Sequence, residues 1–514
     1  MARIMFFNFD GTDNEPVDAA QDKKLFGFVE DNSITNILKF HLLLGGSLKN
    51  ENGDTKLENG SRSFYYHGIG TYGNFFERKY NAAFAPEGAD VSTILRRARK
   101  DFRDHFNEGY DYIVLTGFSR GAALARRFAA IINDLLGSRR IIVEGVFDTV
   151  ASMGIPNLNP HDRPSSDVVF EHGHTLPGNV LKALHLVSLD DKRKAFQPTL
   201  MNRDGRVTEI WFPGAHSDVG GGYNFDGLSD NAMRFFMDWF EDQPELDIRF
   251  RSSRNIDYDN IFKHGSKAVM GPDDVQVDPN PFGINHQQHE RIPLLDRITL
   301  TDRRCCVIID DHVAEDELPL VHWSVAERIR RDRDYRPASL KNIRHRICYQ
   351  DMSEKIFYGC SDHKLKCKGN FRVPDHSGIV TRVYAHLKYN HTGIYLEKGK
   401  SYRIEVTGLP ERKWRDGSIK PVDGKGWDRK SVELGLSEIA IAVSEPFRRV
   451  TEKGAKWFSL CGSIGDSDDN AFLIGNLLDG FVPEKSGELC AFANDLNGYY
   501  GNNSGYLEIR VSAR

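Results

Sequence analysis

The sequence predicts an α/β fold, a mostly parallel sheet with a helical cover, followed by an all-β sandwich. Three observations carry that expectation. First, five short apolar runs each end in a loop of small and acidic residues: Ile4–Phe9 before DGTDN, Tyr112–Thr116 before GFSRG, Ile141–Phe147 before DTVASMG, Leu184–Leu189 before DDKRKAF, and Glu209–Pro213 before GAHSDVGGGY. Second, the helical segments Val91–Glu108 and Gly121–Leu136 fall between some of these runs, the alternation that crossover helices impose on a parallel sheet. Third, after Tyr349 the pattern changes to short alternating strands separated by Gly, Asn and Asp turns, as in GIYLEKGKSYRIEVTG and SGYLEIRV.

Residues 1–230 therefore read as the α/β core and 231–348 as a helical cover, with Ala232–Trp239 and Trp323–Asp334 its clearer helices. Residues 349–514 read as a separate β-sandwich. A chain of 514 residues with 40% hydrophobic and 27% charged residues can bury sizeable cores and is ordinary for a soluble globular protein. A formal net charge of −5, without an arginine-rich arm or interleaved basic and aromatic patches, argues against a nucleic-acid partner. The apolar run Ile4–Phe9 is too short for a signal-peptide core, so the expectation is synthesis in the cytoplasm without a signal peptide. Seven scattered cysteines give neither a disulfide framework nor paired metal spacing and read as buried or free thiols.

The pentapeptide Gly117–Gly121, GFSRG, places Ser119 between a strand and a helix with glycines on both sides. That arrangement suits a sharp turn presenting a nucleophilic hydroxyl at the sheet's edge. The string alone arises by chance roughly one time in five in a chain this long, so the strand-turn-helix context carries the reading. A serine needs a general base and a carboxylate that orients it, in the chain order Ser, acid, His. The third strand-like run after Ser119 ends just before His216, which makes His216 the preferred base; His322, at the start of a probable helix, is the rival. For the acid, Asp148 in the apolar frame GVFDTVASMG is preferred over Asp190, whose DDKR run reads as a solvated, internally paired loop. Asp218 reads as a brace for the Gly-rich loop. Oxyanion donors are expected from the Arg120 N–H and from the loop holding Gly11 and Thr12. No cofactor is needed for this chemistry.

The set FDGTDN, YYHGIGT, GFSRGA, VFDTVASMG, LDDKRKAFQPTL and WFPGAHSDVGGGY resembles, from Met1 to about residue 330, the α/β-hydrolase domain of type VI secretion lipase effectors of the first class. The resemblance implies an antibacterial phospholipase of the A type acting on membrane glycerophospholipids, with Ser119, Asp148 and His216 as its triad. It also implies export by a contractile machine into the target-cell envelope, with a spike protein and an immunity protein as partners. From about Thr392 onward, and above all in FANDLNGYYGNNSGYLEIRV, the chain looks like the calcium-dependent galactose-binding bacterial lectin of the small β-sandwich type. Asp495, Asn502 and Asn503 offer hard oxygen ligands, with the carbonyls of Tyr499 and Asp416 completing a calcium site. The loops between Gly417 and Val432 differ from those of that lectin, so the resemblance does not fix a sugar. The alternative function is a glycan- or envelope-binding protein that keeps the hydrolase fold as a scaffold.

Overall fold

The computed structural model describes residues 2–11, 32–49, 53–68, 88–150, 176–264, 267–268, 270–286, 300–332, 335–349, 354–360, 373–385, 387–409, 413–416, 419–427, 448–465, 467–497, 500 and 503–514. The chain divides into two compact units, one of Met1–Ala20 and Asp31–Leu365, the other of Gln21–Glu30 and Lys366–Arg514.

The first unit is built on one ten-stranded sheet. Its strands are β1 (Ile4–Phe9), β2 (Thr55–Lys56), β3 (Arg62–Tyr66), β4 (Tyr112–Phe118), β5 (Ile142–Phe147), β6 (Val180–Ser188), β7 (Val207–Phe212), β8 (Leu320–His322), β9 (Arg344–Cys348) and β10 (Glu354–Tyr358). The spatial order is β10-β9-β8-β7-β6-β5-β4-β1-β3-β2. Neighbours from β3 to β9 run parallel, and the short β2 and β10 close the two edges antiparallel. All five strand-like runs of the sequence lie side by side within it.

The sheet is covered on both faces, which is why its central strands are apolar on both sides rather than alternating with solvent-facing polar residues, and why the polar exceptions Asn8, Thr116 and Glu144 are themselves buried. Met5, Phe7 and Phe9 of β1 pack in one core with α2 (Gly88–His105) and α3 (Arg120–Leu136), through Ile94, Phe102, Phe128 and Ile132. Ile4 and Phe6, pointing the other way, share a second core with α1 (Asn36–Leu43) and α5 (Gly227–Glu241), through Phe40, Phe236 and Phe240. Asn8 pins the register: its amide donates to Ser63 Oγ (3.0 Å) and Phe64 O (2.7 Å) on β3, and its Oδ1 accepts from Thr116 on β4 (2.8 Å). A one-residue slip would exchange the two faces and lose all three bonds.

Two expectations change here. The stretch 231–348, read as a helical cover, supplies α5 and α6 (Trp323–Arg331) but also the sheet strands β8 and β9. Residues 354–358, read as sandwich, form β10 on the same sheet, so the unit boundary lies after Leu365 rather than after residue 348. The cause is a core too dispersed to show in any one window: Val321, Ile347 and Phe357 each pack into a cluster with Trp211 of β7. No helix among the described residues is long and apolar enough to cross a membrane.

The second unit holds two antiparallel sheets. One contains, in order, Ile379–Tyr384, Asn503–Ala513, Tyr402–Thr407 and Leu477–Phe481, with Trp414–Asp416 also paired to the long strand Asn503–Ala513. The other contains Asn390–Leu396, Gly487–Ala493, Leu460–Ile464 and Phe472–Leu473. Ile404, Leu507 and Ile509 from the first meet Leu396, Leu460 and Leu489 from the second in a common core, which makes the pair a sandwich. Of the six described cysteines, five are buried.

Candidate active site

Ser119 is the single residue between β4 and α3. Its φ of +58° places an ordinary side chain in the left-handed region, at a cost of about 1 kcal/mol or more that the surrounding structure must offset. The offset is visible in the backbone. The Ser119 N–H donates to Phe147 O (3.1 Å), and its carbonyl accepts from Ala122 (3.1 Å), Ala123 (3.3 Å) and Val150 (3.2 Å). The flanking glycines are required for space: a Cβ at Gly117 would lie 2.4 Å from the Gly121 carbonyl oxygen, and one at Gly121 would lie 2.3 Å from those of Phe9 and Asp10. The end of β1 is thus pressed against the elbow that carries the serine.

Asp148 follows the adjacent strand β5 and is fully buried, with φ +39°. Its Oδ1 accepts from the Ser188 N–H (2.9 Å) and from Arg303 Nη1 (2.6 Å). Its Oδ2 meets Arg303 Nη2 (2.8 Å) and His216 Nδ1 (2.6 Å). Burial by itself would raise this carboxyl, but the Arg303 guanidinium and the His216 hydrogen bond outweigh it and hold Asp148 well below the usual carboxylate range. Asp148 is therefore the acceptor, and His216 carries its proton on Nδ1.

His216 opens the short helix α4 (His216–Gly220), which follows β7. Its N–H donates to Asp191 Oδ2 (3.2 Å), and its ring lies between those of Phe118 (4.6 Å between centroids) and Phe196 (5.1 Å). Burial lowers its pKa below the ordinary imidazole value, and the Asp148 hydrogen bond only partly reverses this. Nε2 is buried and makes no hydrogen bond among the described residues. The imidazole is thus held neutral and oriented against the residue that precedes Ser119, with one acceptor nitrogen uncommitted among the described residues. Asp218 braces the loop as expected, accepting from Ala215 N (2.8 Å) and His286 N (2.9 Å).

The rivals fall elsewhere. His322 ends β8 and caps α6, accepting from the Ser324 N–H, with the rings of Phe212 (4.3 Å), Trp323 (5.2 Å) and Phe235 (5.5 Å) around it. Burial pushes it down to about 3. Asp190 accepts from Gly214 N (2.7 Å), Tyr335 (2.8 Å) and Asn285 (3.0 Å), and burial, against these bonds, pushes it up to about 6. The DDKR run is therefore not a solvated loop: Asp191 is buried and paired with Arg193 (2.6 Å), and both aspartates hold the His216 loop. The pairing was legible in sequence; the burial was not.

Of the expected oxyanion donors, Thr12 lies outside the described residues, and the Gly11 N–H is taken by its neighbour's carboxylate, Asp10 Oδ1 (2.6 Å). That commits Gly11 locally; Arg120 occupies the first position of α3, directly after Ser119. Arg303 had no sequence signal. It sits in TDRRCC, 155 residues from Asp148, and only the folded chain brings them together.

In the second unit Asp495 and Asn503 lie together, the Asn503 amide donating to Asp495 Oδ2 (2.9 Å), and Asp416 faces Asn503 across the strand pair. Burial pushes Asp495 up to about 6, and Asn503 Oδ1 is buried without a hydrogen bond among the described residues. These oxygens suit a hard cation. Tyr499 and Asn502 lie outside the described residues, and the Asp416 carbonyl accepts from Ile419 N (2.9 Å). No group of three or more His, Cys, Asp or Glu side chains poised for a metal occurs among the described residues.

A mostly parallel sheet with a serine on a positive-φ elbow, and a buried Asp–His pair drawn from the ends of β5 and β7, defines the first unit as α/β-hydrolase-like. Residues 3–137 and 136–240 match the family described as T6SS, Phospholipase effector Tle1-like, catalytic domain. This match covers a little under half of the chain. No curated protein matches the chain in sequence. Among solved structures, an uncharacterized protein from Pseudomonas aeruginosa is similar at 20% identity and TM-score 0.29, over 46% of this chain and 45% of that one. The Tle1 effector bound to the VgrG spike of the type 6 secretion system is similar at 22% identity and TM-score 0.25, over 43% of this chain and 52% of that one. The N-terminal domain of EclA, a PllA-like lectin, is similar at 18% identity and TM-score 0.17, over 27% of this chain and 98% of that one. The chain thus spans about half the length of the first and second of these structures.

Proposed function

We propose that the first unit is a serine ester hydrolase that cleaves acyl esters of membrane glycerophospholipids, with Ser119 as nucleophile, His216 as general base and Asp148 as its orienting acid. The observation that carries this reading is the 2.6 Å bond from His216 to Asp148, with a buried, uncommitted Nε2 beside the strained Ser119 elbow. In this reading Nε2 takes the Ser119 proton as Oγ attacks the ester carbonyl, and returns it to the departing alcohol. The Arg120 N–H stabilises the oxyanion between these steps. The family match supports a phospholipase effector exported by type VI machinery, and the spike-bound relative makes a spike protein the first delivery partner to test. An immunity protein in the producer follows from the same reading.

The decisive experiment measures fatty-acid release from liposomes of defined phospholipids, alongside fluorophosphonate labelling. Ser119→Ala is expected to abolish both; release that persists in Ser119→Ala would sink the serine mechanism. Strong glycan binding by a wild-type protein inert toward every acyl ester would instead favour the scaffold reading.

For the second unit we propose a calcium site formed by Asp495, Asn503 and Asp416 with Asn502 and Tyr499, through which a glycan binds. The buried Asn503 Oδ1, without a hydrogen bond among the described residues, supports it. Calcium at about a hundred times its dissociation constant should stabilise this unit by about 2.7 kcal/mol, read as a calorimetric shift that Asp495→Asn removes. An identical melting curve in calcium and in EDTA would rule the site out.

A further inference from the structure

We propose that Arg303 is a positioning residue of the active site: its guanidinium, forked onto both oxygens of Asp148, locks the carboxylate that orients His216 and balances the charge that would otherwise favour the imidazolium. This inference rests on the Ser119–His216–Asp148 reading above.

The fork is set from two sides. Nη1 donates to Asp148 Oδ1 (2.6 Å) and to the Ser188 carbonyl (2.8 Å), while Nη2 donates to Asp148 Oδ2 (2.8 Å) and to the Phe196 carbonyl (2.5 Å). The two carbonyls belong to the end of β6 and the loop after it, so the backbone aims the guanidinium independently of Asp148. An ionised carboxylate offers about four acceptor positions. Here they are filled by Ser188 N–H, Nη1, Nη2 and His216 Nδ1–H. Asp148 has no position left for a proton and no freedom to turn, so His216 is held with its lone pair on Nε2.

The charge balance points the same way. Among the described residues, the charged groups that act on the His216 ring are Asp148 from the β5 loop and Asp191 and Arg193 from the β6 loop, and Arg303 from residues 300–308 acts in turn on both aspartates. Asp191 is paired with Arg193 and Asp148 with Arg303. Asp190, also near Arg303, is bonded to Gly214, Asn285 and Tyr335. With the two anions beside the ring matched by two cations, burial governs the imidazole and keeps it neutral. Removing Arg303 leaves a net negative charge against the ring, which should raise its pKa by about one unit. Lysine would keep the charge but lose the fork.

The test uses the full-length protein and its variants Arg303→Met and Arg303→Lys. NMR titration of the His216 imidazole needs no turnover, and hydrolysis of a p-nitrophenyl acyl ester from pH 4 to 9 gives the matching kinetic profile. In Arg303→Met both the imidazole pKa and the acid limb of kcat/KM are expected about one pH unit higher. In Arg303→Lys the limb should stay in place while kcat falls about a hundredfold at unchanged KM, because a misaligned base slows only the chemistry. Should Arg303→Met fail to fold, Arg303→Lys carries the kinetic prediction alone. An imidazole pKa in Arg303→Met equal to the wild-type value, or an Arg303→Lys enzyme with wild-type kcat, overturns the proposal. A wild-type protein that neither hydrolyses esters nor labels at Ser119 strikes the hydrolase reading, while the titration still decides the role of Arg303.

Discussion

The ends of β7 and β8 make a natural pair: adjacent parallel strands, each leading through a buried histidine into a helix, with aromatic rings packed on both imidazoles. At the first, His216 meets a carboxylate held by an arginine; at the second, His322 meets, among the described residues, aromatic rings and the hydroxyl and N–H of Ser324. Burial depresses both pKa values, yet only at His216 does a charged partner pull against it. A strand-end position therefore does not by itself give a histidine the setting of a base. Of the two, His216 has the acceptor for Nδ1–H that the proposed mechanism requires.

The largest effect expected from this contrast is on turnover. His216→Ala should lower kcat/KM by about ten-thousandfold, whereas His322→Ala should leave it within about threefold once unfolded protein is discounted, as measured on one ester substrate. A reversal of those two results would move the base to β8.

A smaller effect distinguishes the two by stability. His322 has a folded pKa below its unfolded value, so its contribution is fully present above about pH 6.5 and is lost as pH falls, at up to about 1.4 kcal/mol per unit. The loss should continue to about pH 3, where the folded protein also protonates the ring. Denaturant melts of His322→Phe should show a shallower decline from pH 6.5 to 4 than wild type; parallel declines would show that His322 does not titrate on unfolding.

Much of the first unit was legible because its signals are local. Ile4–Phe9, Tyr112–Phe118 and Ile142–Phe147 carry apolar residues on both sides, with one polar residue each, as strands covered on both faces do, and each ends at a loop residue of the site. The preference for Asp148 and His216 followed from strand counting, and the fold brings those two side chains together. What stayed hidden depends on distant partners. Arg344–Cys348, RHRIC, and Glu354–Tyr358, EKIFY, mix charge with apolar residues near the sheet's edge, and only the cluster around Trp211 shows why they pair there. Arg303 is invisible in TDRRCC because an ion pair spanning 155 residues leaves no periodicity behind. The aspartates of DDKR were misjudged as solvated because charge predicts exposure unless the partners are known.

The contact of Gly121 with the carbonyls of Phe9 and Asp10 has a consequence for how this site can vary. Since β1 touches the elbow with backbone atoms, its side chains face the two cores and can change size or shape without touching the serine. Its length cannot change so freely. One residue inserted between the Asn8 anchor and Asp10 would push a peptide plane into the turn and displace the nucleophile while every chemical group of the site remained in place. In this strand, spacing is a functional trait in its own right, beside the Asn8 anchor and the packing of the apolar side chains.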